Sequence, residues 1–356
     1  MSLPPGARIG ILGGGQLGRM LALAAASLGY RVHVFANEAD SPAAQVCGTA
    51  TVAAFDDREA LEGFARAVDV VTYEFENVPV SAVRCLLPLV PVHPGPHALE
   101  VAQDRAAEKR FVESLGGTPA RWRTVDSAAD LEGAIAALGL PAILKTRRMG
   151  YDGKGQRRID DAAEAPAALA ALGGRDLLLE ALVPFAGEFS ILAARGADGA
   201  HACYPPVAND HEGGILRRSR VPAAGLDAAH AAAARALVDR LVDALGYVGV
   251  IACEFFATPE GPVFNEMAPR VHNSGHWSIE GAYCSQFEQH VRAIAGLPLG
   301  DTGLRGQGFE MENLLGTEAE DAHRRLVAEP RAWLHLYGKE APAPGRKMGH
   351  LTRERS

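Results

Sequence analysis

Lys145 ends a short apolar run, Ala142-Ile143-Leu144, and a loop follows that sets Gly150, Gly153 and Gly155 among Arg147, Arg148 and Lys154. That order suits a triphosphate. A strand aims a fixed ammonium at the phosphates, while glycines let backbone N–H groups approach and let the loop close over the nucleotide. It is not a Walker A loop, in which the lysine follows the glycines. A basic hairpin turn would carry the same residues, so the stretch needs support from elsewhere. Residues 248–256 supply it, reading as a buried strand that carries Glu254. Residues 261–267 read as its hairpin partner and carry Asn265 and Glu266, with Thr258-Pro259-Glu260-Gly261 as the turn. Two carboxylates and an amide oxygen suit Mg²⁺, a hard ion that shares its remaining positions between phosphate and water. A carboxylate inside so apolar a strand is costly to bury without a cation.

The elements that position these groups alternate along the chain. Strands are expected at 8–12, 31–36, 50–54 and 68–73, with helices at 16–28 and 58–66. Such alternation predicts a parallel sheet covered by helices on both faces. A helix over 103–115 leads into a small α+β domain with strands near 121–125, 142–145, 157–159 and 177–181. A larger α+β region follows, including an Ala-rich helix over 228–245, and the tail from Gly303 reads as a strand-rich subdomain. The expected boundaries are 1–103, 104–185, 186–300 and 301–356.

Bulk properties exclude some classes. A net charge of −8 argues against a general nucleic-acid binder, so the basic residues serve local contacts. Five scattered cysteines show no metal spacing and read as free thiols in a reducing cytoplasm. No signal peptide or membrane-spanning apolar run is present. At the amino terminus, Gly13-x-Gly15-x-x-Gly18 follows a strand and opens a helix, and Asn37 and Glu38 lie near the end of the next strand. From this segment alone an NAD-dependent dehydrogenase is the alternative. Such an enzyme has no use for the 150–156 loop or the Glu254/Glu266 pair. The same helix start could hold a phosphate monoester instead.

Several motifs occur in order: Gly13 to Gly18, Thr72-Tyr73-Glu74-Phe75-Glu76-Asn77-Val78, Gln103-Asp104-Arg105, Gly150 to Gln156, Asn265-Glu266, residues 268–277 and residues 345–350. On these the chain resembles the ATP-grasp superfamily and, within it, the N5-carboxyaminoimidazole ribonucleotide synthases, ATP-dependent carboxylases of purine biosynthesis. The likeness runs from about Ile9 to His350, with Asn273-Ser274-Gly275-His276-Trp277 and Gly345-Arg346-Lys347-Met348-Gly349-His350 its most specific parts. It implies an ATP-grasp fold, α/β and α+β, in three domains. These are a Rossmann-like parallel-sheet amino-terminal domain, a small central α+β domain, and a larger carboxy-terminal α+β domain with a strand-rich tail.

The resemblance also implies roles. Arg270, Asp152 and Lys145 would be catalytic. ATP would be held by Arg105, Lys145, Gly150, Tyr151, Asp152, Gly153, Lys154, Gly155, Gln156, Asn265 and Glu266. Glu180, Ala181, Leu182 and Val183 would read the adenine edge, Glu188 the ribose hydroxyls, and His211 would line the nucleotide pocket. Glu254 and Glu266 would bind Mg²⁺, or Mn²⁺ in its place. Gln16, Leu17, Glu76, His272, Asn273, Ser274, His276, Lys339, Arg346 and Lys347 would hold aminoimidazole ribonucleotide, with bicarbonate and ATP as co-substrates. Neither biotin nor NAD is implied; a cytoplasmic homodimer is. Members often carry a basic residue just before Pro-Gly-Arg-Lys, where this chain has Ala343.

Overall fold

The computed structural model describes residues 2–150 and 152–355, so Tyr151 lies outside the described residues. Its first sheet is parallel, with β1 (Arg8–Leu12), β2 (Arg31–Ala36), β3 (Thr49–Val52) and β4 (Val70–Tyr73) in the order β3-β2-β1-β4. The second is antiparallel and holds β5 (Trp122–Val125), β6 (Ala142–Thr146), β7 (Gln156–Ile159) and β8 (Leu177–Ala181), ordered β5-β8-β6-β7. A nine-stranded sheet takes the rest. Its strands are β9 (Gly187–Arg195), β10 (His201–Cys203), β11 (Val207–Glu212), β12 (Ile215–Val221), β13 (Gly249–Thr258), β14 (Gly261–Ala268), β15 (Phe309–Leu315), β16 (Trp333–Leu336) and β17 (Lys347–Glu354).

The alternation read from the sequence thus gives the parallel sheet, and the hairpin reading gives β13 and β14. The tail is strand-rich, as expected. It forms no sheet of its own: β15 pairs with β12, β17 with β15 and β16 with β17, so the large sheet simply continues. β17 has no counterpart among the expected strands, because Lys347-Met348-Gly349-His350 lacks a clean apolar alternation.

A shared core fixes the first sheet against the large one. Phe287, Val291 and Ile294 of the helix Gln286–Ile294 are buried with Ile9, Ile11, Leu21 and Val250. Full burial of each such side chain contributes about 1.5–3 kcal/mol relative to exposure. His290 of the same helix is buried, and burial pushes its imidazole down to about 3, so it is neutral. Its Nδ1 accepts from the Val250 N–H at 3.0 Å, which leaves Nε2 to donate to Thr72 Oγ1 at 2.8 Å. One neutral imidazole therefore stitches β4 to β13 beside the cleft.

Candidate active site

The carboxylate hairpin is built as its residues dictate. Aromatic and branched residues make β13, and Cys253 and Phe255 face the core on one side. Glu254, with alternate orientation, faces the other side. The strands are joined through Pro259 and Glu260, with Gly261 at φ 135°. In the ladder Glu254 lies directly opposite Glu266 and Phe255 opposite Phe264, so Asn265 is the extra residue of a β-bulge. Opposed residues share a face, and a bulge re-aims its neighbours. Burial and then the facing Glu266 push the Glu254 carboxyl up to about 7. His272 Nε2 stands 3.6 Å from Glu254, and Arg105 donates to Glu266 at 2.9 Å.

This donor set fits a divalent cation, whose charge would relieve two facing carboxylates. Among the described residues no group of three or more His, Cys, Asp or Glu is gathered for a metal. Any further ligands to such an ion would have to be phosphate and water, which Mg²⁺ accepts.

Arg105 is aimed from the first turn of the helix Arg105–Ser114. Asp104 caps that helix, accepting from the Ala106 and Ala107 N–H groups at 2.9 and 3.2 Å, and Arg147 Nη2 clamps the same carboxylate at 2.6 Å. The helix also brings two residues that sequence reasoning passed over. Glu108 lines the cleft, accepts from the Met267 N–H at 2.7 Å, and is pushed up to about 8 by burial. Lys109 is buried with its Nζ 2.9 Å from Glu180 Oε1. Lys145 Nζ sits 2.7 Å from the other oxygen, Glu180 Oε2. Burial opposes the Glu180 charge, yet the two ammoniums hold its carboxyl down at about 2. Lys145 is thus paired already, and burial lowers its pKa despite the carboxylate.

The 268–277 segment delivers only part of what its composition promised. Arg270 reaches the cleft and is ion-paired with Glu76. Burial works against the Glu76 charge, but the guanidinium holds its carboxyl below the usual range. His272 and Asn273 line the cleft. Burial, then Arg270, holds the His272 imidazole well below its ordinary value, so it is neutral. Ser274 and His276 do not line it, and both are fully buried. Ser274 Oγ supports His272 Nδ1 at 2.8 Å, while His276 packs against Phe287, Tyr337 and His350. A 3₁₀ turn over Asn273–Gly275 rotates successive side chains away from one another, which composition cannot reveal.

The glycine-rich helix start also differs from expectation. Glu74 accepts from the Gly15 N–H at 2.7 Å and the Gly18 N–H at 3.1 Å, so the amides offered to a phosphate are partly taken. Gln16 and Leu17 still line the cleft, as expected.

The glycine-rich loop and the basic tail meet over the same space. Gly155 has φ +71°, and a Cβ there would sit 2.6 Å from Thr146 Oγ1. A Cβ on Gly214 would lie 2.7 Å from the Gly153 Cα, so the loop packs on the turn between β11 and β12. Asp152, at φ 45°, accepts from Lys347 Nζ at 2.8 Å, joining loop to tail. Gly150, Asp152 and Lys154 line the cleft with Lys339, Arg346 and Lys347. Gly153, Gly155 and Gln156 are not among its lining residues. Lys339 donates to the Lys347 carbonyl at 2.6 Å, and burial and then Arg346 lower its pKa to about 8.

The whole cleft measures about 650 Å³. Lys145, Glu180, Ala181, Leu182, Val183, Glu188, His211 and Asn265 do not line it either. His211 Nδ1 and Glu188 pair with each other at 3.0 Å across neighbouring strands, and the carboxylate raises the imidazole's pKa against burial.

Comparison with known proteins bears on this arrangement. Residues 7–103 match the ribonucleotide synthetase preATP-grasp domain, 110–287 the ATP-grasp domain, and 310–354 the phosphoribosylaminoimidazole carboxylase C-terminal domain. The chain is 50% identical over 355 residues to the N5-carboxyaminoimidazole ribonucleotide synthase of Brucella melitensis biotype 1, covering 99% of this chain and 97% of that one. Identity to the synthase of Pseudomonas aeruginosa is 47% over 345 residues, covering 97% and 94%. The crystal structure of N5-carboxyaminoimidazole ribonucleotide synthetase from Thermus thermophilus superposes with a TM-score of 0.91 at 50% identity, covering 98% and 93%. That of the Aspergillus clavatus synthase in complex with ADP and 5-aminoimidazole ribonucleotide gives 0.92 at 32%, covering 99% and 94%. The three sheets are those of the ATP-grasp fold.

Proposed function

This chain belongs to the N5-carboxyaminoimidazole ribonucleotide synthases of the ATP-grasp superfamily, and from that premise we propose how its cleft divides the work. It is an ATP-dependent ligase that carboxylates 5-aminoimidazole ribonucleotide to the N5-carboxy product in purine biosynthesis. One observation carries the assignment of roles: the Glu254/Glu266 hairpin and the Lys339/Arg346/Lys347 rim face one cleft. The first suits Mg²⁺ and a triphosphate, the second a ribonucleotide phosphate.

A bicarbonate oxygen attacks the γ-phosphorus of ATP and the bond to the β-bridging oxygen breaks, giving carboxyphosphate and ADP. Phosphoryl transfer depends on positioning and electrostatics; Arg105 supplies them from the cleft lining, and the buried Lys145 adds its charge from behind that lining. Mg²⁺ held by Glu254 and Glu266 would neutralise charge on the phosphates. Carboxyphosphate loses phosphate to give CO₂, and the exocyclic amine of the aminoimidazole forms the new C–N bond and releases a proton. Arg270 meets the charge of the transferred phosphoryl, and its partner Glu76 faces the aminoimidazole. Water must be excluded meanwhile, and Asp152 bound to Lys347 and Gly153 packed on the β11–β12 turn bring their loop to the cleft rim, where it can do so. A homodimer in the cytoplasm is the assembly and place that the family resemblance implies; among the described residues no helix is long and apolar enough to cross a membrane.

Purified protein is expected to release ADP only with Mg²⁺, and aminoimidazole ribonucleotide is expected to stimulate that release in bicarbonate. ADP release driven by formate and glycinamide ribonucleotide would point to the related formyltransferase chemistry, and NADH binding detected by fluorescence would point to a dehydrogenase.

The rim has its own pH signature. Lys339 releases its proton near pH 8 in the free enzyme, so a phosphate contact weakens above that. We expect kcat/KM for the ribonucleotide to fall as pH rises through about 8, since that parameter reports free-enzyme groups. Lys339→Met should flatten this limb of the profile. A limb that persists unchanged in the variant would assign it to another group.

A further inference from the structure

Lys145 presents a problem of charge. If it serves a phosphate, it should not also be neutralised, yet Glu180 holds it at 2.7 Å in a buried setting. Lys109 resolves the difficulty. Its side chain is 1% exposed and its ammonium lies 2.9 Å from the second Glu180 oxygen, while the Glu180 side chain is 4% exposed. The three groups make one buried unit of two ammoniums and one carboxylate, with a net charge of +1.

We propose that Lys109 is a positioning residue for ATP: by sharing Glu180 it leaves Lys145 with an uncompensated positive charge to offer the nucleotide phosphates. Nothing about the Lys109 sequence context, an Ala-Glu-Lys-Arg run on a helix, distinguishes it from a solvated lysine. Its partner Glu180 comes from β8, and the Lys145 that shares this carboxylate comes from β6. A lone buried Lys145–Glu180 pair would be neutral and a poor anion site. Two ammoniums without Glu180 would repel one another and resist burial. Three charges give a net excess that can still be buried, set behind the cleft lining near the end of β6.

The inference rests on Lys145 facing the nucleotide, so the test includes that residue. Lys145→Met should raise the KM for ATP. Lys109→Met should raise it by about ten- to a hundredfold, because one unit of charge near the phosphates is lost in a medium of reduced dielectric. The KM for aminoimidazole ribonucleotide should stay nearly unchanged. The double variant Lys109→Met/Glu180→Gln keeps the backbone groups through which residues 180–183 would read the adenine edge, restores the net charge of +1, and should return the KM for ATP to within about threefold of the parent. A purely structural Lys109 would instead give losses that add, and would affect both substrates alike. If Lys109→Met fails to fold, the double variant still decides, since it buries no unpaired carboxylate. A KM for ATP that stays raised in the folded double variant, or that is unchanged in folded Lys109→Met, overturns the proposal. An unchanged KM in Lys145→Met overturns the reading of Lys145 beneath it.

Discussion

Glu266→Gln is expected to lower kcat by about a hundredfold or more, because metal-assisted charge stabilisation contributes several kcal/mol to such a transition state. The glutamine keeps the shape and an oxygen but loses the charge a hard cation requires. Folding should not suffer, and the reason is visible across the ladder. Glu254 is held near pH 7 by burial and by the charge of Glu266 opposite. A carboxyl whose folded pKa lies above its ordinary 4.5 keeps its proton where the unfolded chain has lost it. Stability from this group therefore falls as pH rises from about 4.5 through about 7. Removing the Glu266 charge reduces that loss, so the metal-free variant should melt no lower than the parent at about pH 8, above that window. Turnover near that of the parent at saturating Mg²⁺ would show that Glu266 is not a principal ligand. A lowered melting point under the same conditions would show that its pair with Arg105 matters more to folding than its repulsion of Glu254.

The second large effect is expected at the opposite rim. Arg346→Ala should raise the KM for aminoimidazole ribonucleotide by about ten- to a hundredfold, the loss of a charge-assisted bond worth roughly 1.5–3 kcal/mol. Arg346 is exposed and lines the cleft, and its Nη1 donates to the Ala341 carbonyl at 2.8 Å, so the guanidinium has further donors for a phosphate. The KM for ATP should hardly move. Equal losses for both substrates would mean that the 341–346 turn supports loop docking through Lys347 and Asp152. Loss for neither would leave the phosphate to Lys339 and Lys347 alone.

What could be read in advance follows from the range of the interactions. Lys145, its loop and the Glu254/Glu266 hairpin are legible because each is a local pattern: a strand end, a glycine run, two strands across a short turn. Glu108 and Lys109 are not. Their significance lies in Met267 and Glu180, far along the chain, and the helix around them has an ordinary amphipathic composition. Glu74 stands in a recognisable motif that suggests no part for it, and only the fold brings it under the Gly15 and Gly18 amides. Ser274 and His276 mislead in the other direction. Polar identity suggests a pocket, whereas a tight turn sends one to brace His272 and the other into an aromatic stack. In the strand-rich tail only β17 escapes notice, because pairing with β15 and β16 selects its register and its own pattern does so only weakly.

That continuation of the large sheet bears on how such genes can recombine. The matched segments end at 287 and resume at 310, which invites a chimera that joins the body of one synthase to the tail of another. The seam would fall between hydrogen-bonded neighbours, with Arg218 opposite Glu312 and Arg220 opposite Glu310 in the ladder. Arg220 also binds Glu310 at 2.8 Å, and Arg217 binds Glu318 at 2.7 Å through each of two nitrogens. A foreign tail would have to match these charges one for one, and a missing tail would bare the edge of β12 to any other strand. A chimera is therefore expected to fold best when body and tail come from one parent, with its crossover before β9 rather than at the seam the matched segments suggest.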